Sequence, residues 1–230
     1  MRKYVLIFVV AVAVLMLSCH KEPVPASSSL LFATDDIVVD LGATDADVLQ
    51  YVSASDGAKV TVQGVDYNLV GKQEAVFTAG NVSEKCSVKV RANRLAGRYS
   101  FMASILDIDG LYYPLTGEGW YWDFSVGNTY NQIIIPDSAY CPYTYRMEHL
   151  FEDQGGVTMT LEGESRSITP WRGKLYFNVS YIKKDFEFDS IQYARLSNGE
   201  YAITSFLMID TYNGKHNYYK FEFEKQLDSK

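Results

Sequence analysis

The sequence predicts an all-β protein: a small Ig-like antiparallel sandwich followed by a larger antiparallel β-barrel or β-sandwich. Three observations carry this expectation. Short runs alternate apolar and polar residues, as in Cys86-Ser87-Val88-Lys89-Val90-Arg91 and from Tyr219 to Glu224, and a period of two marks a half-buried strand. Turn dipeptides separate such runs, among them Asp56-Gly57, Gly80-Asn81, Asp109-Gly110, Asn198-Gly199 and Asn213-Gly214; tight hairpin turns need the positive φ these residues tolerate. No window carries a long amphipathic helical period.

Composition narrows the function classes. With 230 residues and 47% hydrophobic content the chain can bury a sizeable core, in one large or two small domains. Charged residues make up 21% and aromatics 14%, which excludes wholesale disorder and coiled-coil composition. The net charge is −7, or −9 once Arg2 and Lys3 are removed with a leader. An acidic chain without a Lys/Arg-rich stretch has no electrostatic footprint for a phosphate backbone, so nucleic acid is excluded as a partner.

The first 25 residues read as an address. Met1-Arg2-Lys3 is positive, Tyr4 to Leu17 is an apolar run, and Ser18-Cys19 follows. The run is shorter than the roughly 20 residues a membrane-spanning helix needs. This arrangement resembles a bacterial lipoprotein signal, although Met16 stands where that pattern favours Leu. The resemblance implies that residues 1–18 are removed and that Cys19 becomes an acylated N-terminus; several acyl chains hold a protein stably at a membrane. Residues 19–25 begin a Pro- and Ser-rich tether. Lys21-Glu22 resembles the surface-export signal of Bacteroides-type lipoproteins, which implies lipid anchoring at the outer membrane, on the cell surface, with the periplasmic face as the alternative.

A jump in aromatic content divides the rest. Residues 26–93 hold four aromatics in 68 positions, and residues 97–230 hold 27 in 134. Two cores of different make-up are expected, joined by a short hinge at Asn93-Arg94-Leu95-Ala96 that a protease should cut. Six or seven short strands are expected in the first unit. The order of Asp40-Leu41-Gly42, Val52-Ser53-Ala54-Ser55-Asp56-Gly57, Val60-Thr61-Val62 and Phe77-Thr78-Ala79-Gly80-Asn81 resembles the bacterial surface Ig-like (cadherin-like) repeat. Gly71-Lys72-Gln73-Glu74-Ala75 departs from the Gly-Thr-Tyr stretch usual there. The resemblance implies a spacer or adhesion module. It also makes Asp35, Asp36, Asp45 and Asp47 candidate calcium ligands, although a lone module lacks the neighbouring repeat that shares the ion. No metal or cofactor is expected.

In the second unit, Leu175, Phe177, Val179 and Tyr181 mark one face of a strand, and from residue 173 onward a four-stranded meander is expected. Phe188 falls out of phase with Ile191 and Tyr193, which places a bulge at Asp189-Ser190. Eight to ten strands fit residues 97–230.

Chemistry-bearing motifs are sparse. His149 and His216 have no ligand-spaced companions, and nucleophile-elbow, dinucleotide and P-loop motifs are absent. Cys86 and Cys141 are expected as two free thiols. Glu187-Phe188-Asp189-Ser190-Ile191-Gln192 resembles the Glu-x-Asp-x-x-Glu strand of laminarinase-type jelly rolls, but Gln192 occupies the acid/base position. The protein is therefore expected not to be an enzyme; a glycoside hydrolase acting through Glu187 and Asp189 is the competing class. Trp120, Trp122 and Phe124 share one strand face, with Tyr121 and Asp123 on the other, and Trp171 sits between Pro170 and Arg172. Aromatic faces beside polar groups stack on sugar rings, so Trp120, Trp122 and Trp171 are the candidate ligand-binding residues. The other reading puts Trp120 and Trp122 in the core. The expectation is a non-catalytic, surface-anchored lipoprotein. Its second unit would bind a glycan or another surface ligand, with the first unit as spacer. An adhesion or assembly protein and a lipocalin-like carrier are the alternatives.

Overall fold

The computed structural model describes residues 28–106, 112–114, 121–135, 157–161, 171–177, 180–212 and 215–226. Among these residues there are fifteen strands and one short α-helix, so the all-β class holds.

The first unit contains β1 (Leu30–Phe32), β2 (Ile37–Asp40), α1 (Asp45–Leu49), β3 (Val52–Ala54), β4 (Val60–Gln63), β5 (Gly71–Ala79) and β6 (Val82–Arg91). β1 and β3 pair as one small sheet, and a second sheet runs β2-β6-β5-β4. Alternation decides which side chains go inside. Ile37, Ala75, Phe77, Val88 and Val90 are fully buried while their polar neighbours face water. The rings of Phe32 and Phe77 meet edge-on at 5.3 Å, which closes the two sheets over one core.

Two features differ from the sequence expectation. β2 runs parallel to β6, from Ile37 opposite Val88 to Asp40 opposite Arg91. The chain crosses from the β1–β3 sheet to the other sheet between Phe32 and Ile37, so β2 is not joined to β6 by a hairpin and can pair with it in parallel. The helix α1 was invisible to periodicity because five residues are barely more than one turn. Its start is fixed by Asp47, whose Oδ2 accepts hydrogen bonds from Thr44 N and Oγ1, each at 2.8 Å. Those bonds hold the Asp47 carboxyl below the usual aspartate value.

The second unit contains β7 (Gly97–Leu106), β8 (Tyr112–Pro114), β9 (Tyr121–Val126), β10 (Gln132–Ile135), β11 (Val157–Thr160), β12 (Trp171–Phe177), β13 (Ser180–Arg195), β14 (Tyr201–Tyr212) and β15 (Lys215–Lys225). They form one curled sheet ordered β11-β10-β9-β7-β15-β14-β13-β12, with β8 beside the far end of β7. Among the described residues β11 and β12 are its two edges and do not meet. The meander β12 to β15 is present. The bulge is present too: Ser190 adopts φ 54, and the register of β13 on β14 slips between Asp189 and Gln192. The single strand read across residues 174–181 is corrected to a hairpin, because Phe177 pairs with Ser180 and Trp171 with Phe186. Both arms of a hairpin alternate alike, so the pattern does not reveal the reversal.

The join between the units is packed. Asn93–Leu95 forms a 3-10 turn, and Leu95 and Ala92 are fully buried. Arg94 donates from Nη1 to Leu41 O at 3.1 Å and from Nη2 to Gly199 O at 3.2 Å, with its guanidinium 5.0 Å from the Tyr201 ring centre. Lys225 Nζ donates to Arg94 O at 2.7 Å and Tyr201 O at 3.0 Å; burial holds its pKa below the usual lysine value. The Tyr99 hydroxyl donates to Leu95 O at 2.7 Å and accepts from Ile203 N at 3.3 Å, and burial pushes its pKa up. Val70 N donates to Tyr193 Oη at 2.8 Å, Tyr201 Oη donates to Asn68 Oδ1, and Ala92 N donates to Tyr130 O at 2.8 Å. Gly42 has φ 81, and a Cβ there would lie 2.6 Å from Tyr201 Cε2 and 2.8 Å from Arg94 Nη1. Only glycine fits this contact.

The burial of Ala92 and Leu95 argues against cleavage at this join. Limited proteolysis of the native protein should leave residues 93–96 intact. Leu95→Ala should cost about 2–5 kcal/mol in chemical denaturation, by emptying a buried site shared by both units.

The pH dependence has a definite sign. Asp36, Asp47 and Asp56 titrate below the usual aspartate value, chiefly because of hydrogen bonds from the Lys89 ammonium, from Thr44 and from Ala58 N respectively. Their contribution is present above the unfolded value near ~3.9 and is lost as pH falls through the lower folded values. The melting temperature should be level between about pH 5 and 7 and drop below about pH 4. Lys89→Met should shrink the drop.

Candidate functional site

The aromatic strand β9 shows how the second core is built. Trp122 and Phe124 point inward while Tyr121 and Asp123 are exposed. Trp122 is 1% exposed, and its ring centre lies 4.5 Å from Phe101, 5.2 Å from Phe221 and 5.8 Å from Phe223. Cross-strand register assembles the cluster: Tyr99 opposes Trp122, Phe101 opposes Phe223, and Phe206 opposes Phe221. Trp122 therefore offers no face to a sugar ring. Its assignment as a ligand-binding residue is corrected to a core position, because inward phase and aromatic neighbours leave it no solvent contact.

The other sequence candidates are dispersed. Trp171 opens β12 opposite Phe186, whereas Trp120, Cys141, His149 and the anchor Cys19 lie outside the described residues. Glu187 and Asp189 pair with Ile209 and Leu207, and Gln192 is exposed beyond the bulge. The four aspartates weighed for calcium are not gathered by the fold into one site. Asp36 pairs with Lys89 Nζ at 2.7 Å, Asp45 accepts from Tyr67 Oη at 2.9 Å, and Asp47 caps α1. No cluster of three or more metal-ligating side chains occurs among the described residues. Cys86 is half-buried on β6, where burial raises its thiol pKa. His216 is exposed near the start of β15.

A concave site that no sequence motif marks lies at the edge of the first unit, against the join. It is a cleft of about 370 Å³ lined by Val38 to Ala43, Asp47, Gln50, Tyr51, Arg91 and Arg94. Its polar groups come from three places in the chain: the end of β2, the end of α1, and the end of β6 with the turn beyond it. Asp40 Oδ1 accepts from Arg91 Nε at 2.7 Å and also pairs with Arg91 Nη2. Gln50 donates from Nε2 to Asp47 O at 2.8 Å. Asp40 and Arg91 are both half-exposed, so the pair faces the cleft mouth with bonding capacity remaining. Sequence spacing could not show this site, since residues 40, 50 and 91 meet only through the parallel β2–β6 pairing and the α1 turn.

With Trp120 and Trp171 replaced by Phe, the fluorescence of the remaining Trp122 should resist acrylamide quenching. Trp122→Ala should destabilise the protein by about 3–5 kcal/mol in urea.

No family model matches the chain, and no curated protein matches it. Among solved structures, the lipoprotein BT2262 from Bacteroides thetaiotaomicron aligns over 86% of this chain and 100% of its own, at 15% identity and a TM-score of 0.30. At that score the likeness carries no argument about fold or function.

Proposed function

We propose that this protein is a non-catalytic lipoprotein, anchored through Cys19 at the outer membrane, that displays its second β-unit to a surface ligand. The observation that carries the reading is the direction of the chain through the first unit. Phe32, at the end of β1, packs on Phe77 near the β5–β6 turn, while the join to the second unit sits at the opposite end, where Gly71 pairs with Val90. β6 has ten residues, so the tether exit and the join are separated by roughly 30 Å of strand. A tether at one end and the larger unit at the other is the geometry of a spacer. The apolar leader ending at Ser18-Cys19 supplies the anchor, and Lys21-Glu22 favours the cell surface.

The ligand we assign to the second unit is a glycan or another surface molecule, contacted through Trp120 and Trp171. The amide Gln192, in place of a carboxylic acid, favours binding without cleavage.

One experiment addresses anchor and ligand together. Membrane fractions from cells carrying the wild type and Cys19→Ala should differ, with the variant in the soluble fraction or held as precursor. The lipidated protein should retain members of a polysaccharide panel without cleaving them, and Trp171→Ala or Trp120→Ala should weaken retention at least tenfold. Retention unchanged in both tryptophan variants would sink the glycan reading, and turnover lost in Glu187→Gln would make the protein an enzyme.

A further inference from the structure

We propose that the cleft formed by Asp40, Gln50, Tyr51, Arg91 and Arg94 is a second binding site, built for a neutral, polyhydroxylated ligand such as a sugar. This goes beyond the reading above, because it gives the spacer unit a ligand of its own and involves none of the tryptophans.

The chemistry of the walls selects the ligand class. Two carboxylates, Asp40 and Asp47, stand against two guanidiniums, Arg91 and Arg94, so the formal charge of the lining is zero. Each guanidinium already faces oxygen: Arg91 faces Asp40, and Arg94 faces Leu41 O and Gly199 O. An anion would approach two carboxylates with no cation left unmatched, and a cation would meet two guanidiniums. A metal ion finds no set of three ligating side chains among the described residues. An apolar ligand finds little to cover, since Leu41 and Val39 turn their side chains into the core and present mainly backbone.

Hydroxyl groups suit what remains. Asp40 uses Oδ1 for Arg91 and Asp47 uses Oδ2 for Thr44, so each has its other carboxylate oxygen left to accept. Gln50 uses Nε2 for Asp47 O, and its Oε1 is left to accept. Arg91 reaches Asp40 through Nε and Nη2, leaving donor capacity on its outer nitrogen. Neighbouring carboxylate, amide and guanidinium groups match vicinal hydroxyls, each of which donates one bond and accepts another. Tyr51 adds an aromatic side chain to the same lining. At about 370 Å³ the cleft is near the small end for ligand sites, a size for one or two sugar rings. β2 is only four residues long, a short edge for recruiting an extended peptide as an added strand.

The test is saturation-transfer NMR on the full lipidated chain in a phosphocholine detergent. Cellobiose and mannobiose serve as neutral probes, galacturonic acid as the anionic probe, and an alternating Val-Thr hexapeptide as the strand probe. Saturation should pass to at least one neutral disaccharide. Gln50→Ala should weaken binding about 3- to 10-fold and Arg91→Gln about tenfold or more, while Lys85→Ala, at an exposed ion pair on β6 outside the cleft lining, leaves it unchanged. Both cleft substitutions are at the surface, and thermal melts check that the fold survives; if Arg91→Gln melts early, Gln50→Ala decides. No transfer to either neutral sugar overturns the proposal, as does transfer unaffected by Gln50→Ala, or transfer to galacturonate or the hexapeptide alone. Transfer abolished by the tryptophan variants but not by Gln50→Ala would leave the second-unit reading standing and this one refuted.

Discussion

The guanidinium of Arg94 is the group on which the arrangement of the two units depends. It joins a carbonyl of the first unit, Leu41 O, to one of the second, Gly199 O, while lying over the ring of Tyr201. A planar fork of donors can satisfy two carbonyls at once and still stack, which an ammonium on a flexible stem cannot. Around it the demands interlock. Tyr201 must reach Asn68, Gly42 must lack a side chain, and Lys225 must cover the carbonyls of Arg94 and Tyr201. Losing any one of these contacts leaves half-buried polar groups unpaired where water cannot readily reach them, so the join gains rigidity from polar satisfaction as well as from Leu95.

The second core solves a different problem. Strands of 16, 12 and 11 residues (β13, β14 and β15) form a sheet large enough to curl. A curled sheet has a wide concave face to fill. Aromatic rings fill it economically, because each buries a large area on few rotatable bonds. That is why Trp122, Phe101, Phe206 and Phe221 converge. On β7 and β9 of the same sheet, Met102 is 65% exposed and Tyr121 lies beneath the Arg98 guanidinium at 4.8 Å.

How much of this was legible in the sequence follows from the range of each interaction. Local patterns read well. The Asn198-Gly199 and Gly80-Asn81 turns, the bulge at Asp189-Ser190 and the placing of Trp122 and Phe124 on one face are all consequences of period and turn chemistry within a few residues. What alternation could not supply was the meaning of a face. Inward and outward tryptophans look alike along a strand, so Trp122 was open to both readings until its neighbours were known. The cleft at Asp40, Gln50 and Arg91, the parallel pairing of β2 with β6 and the closed junction all depend on contacts between residues far apart in the chain. Gly42 was the one visible trace, as part of Asp40-Leu41-Gly42, and its reason lay 159 positions away at Tyr201.

The parallel β2–β6 pair has a mechanical consequence. The chain enters the first unit at the start of β1 and β2 and leaves it at the far end of β6. If one end is held and the other pulled, the load runs along the two strands in opposite senses. The hydrogen bonds from Ile37–Val88 to Asp40–Arg91 lie across that line, so they must give way together in shear. They cannot be peeled one at a time from an end. Loading an antiparallel hairpin at its open end would unzip it, whereas this pairing makes the small unit a clasp that resists tension along its own length.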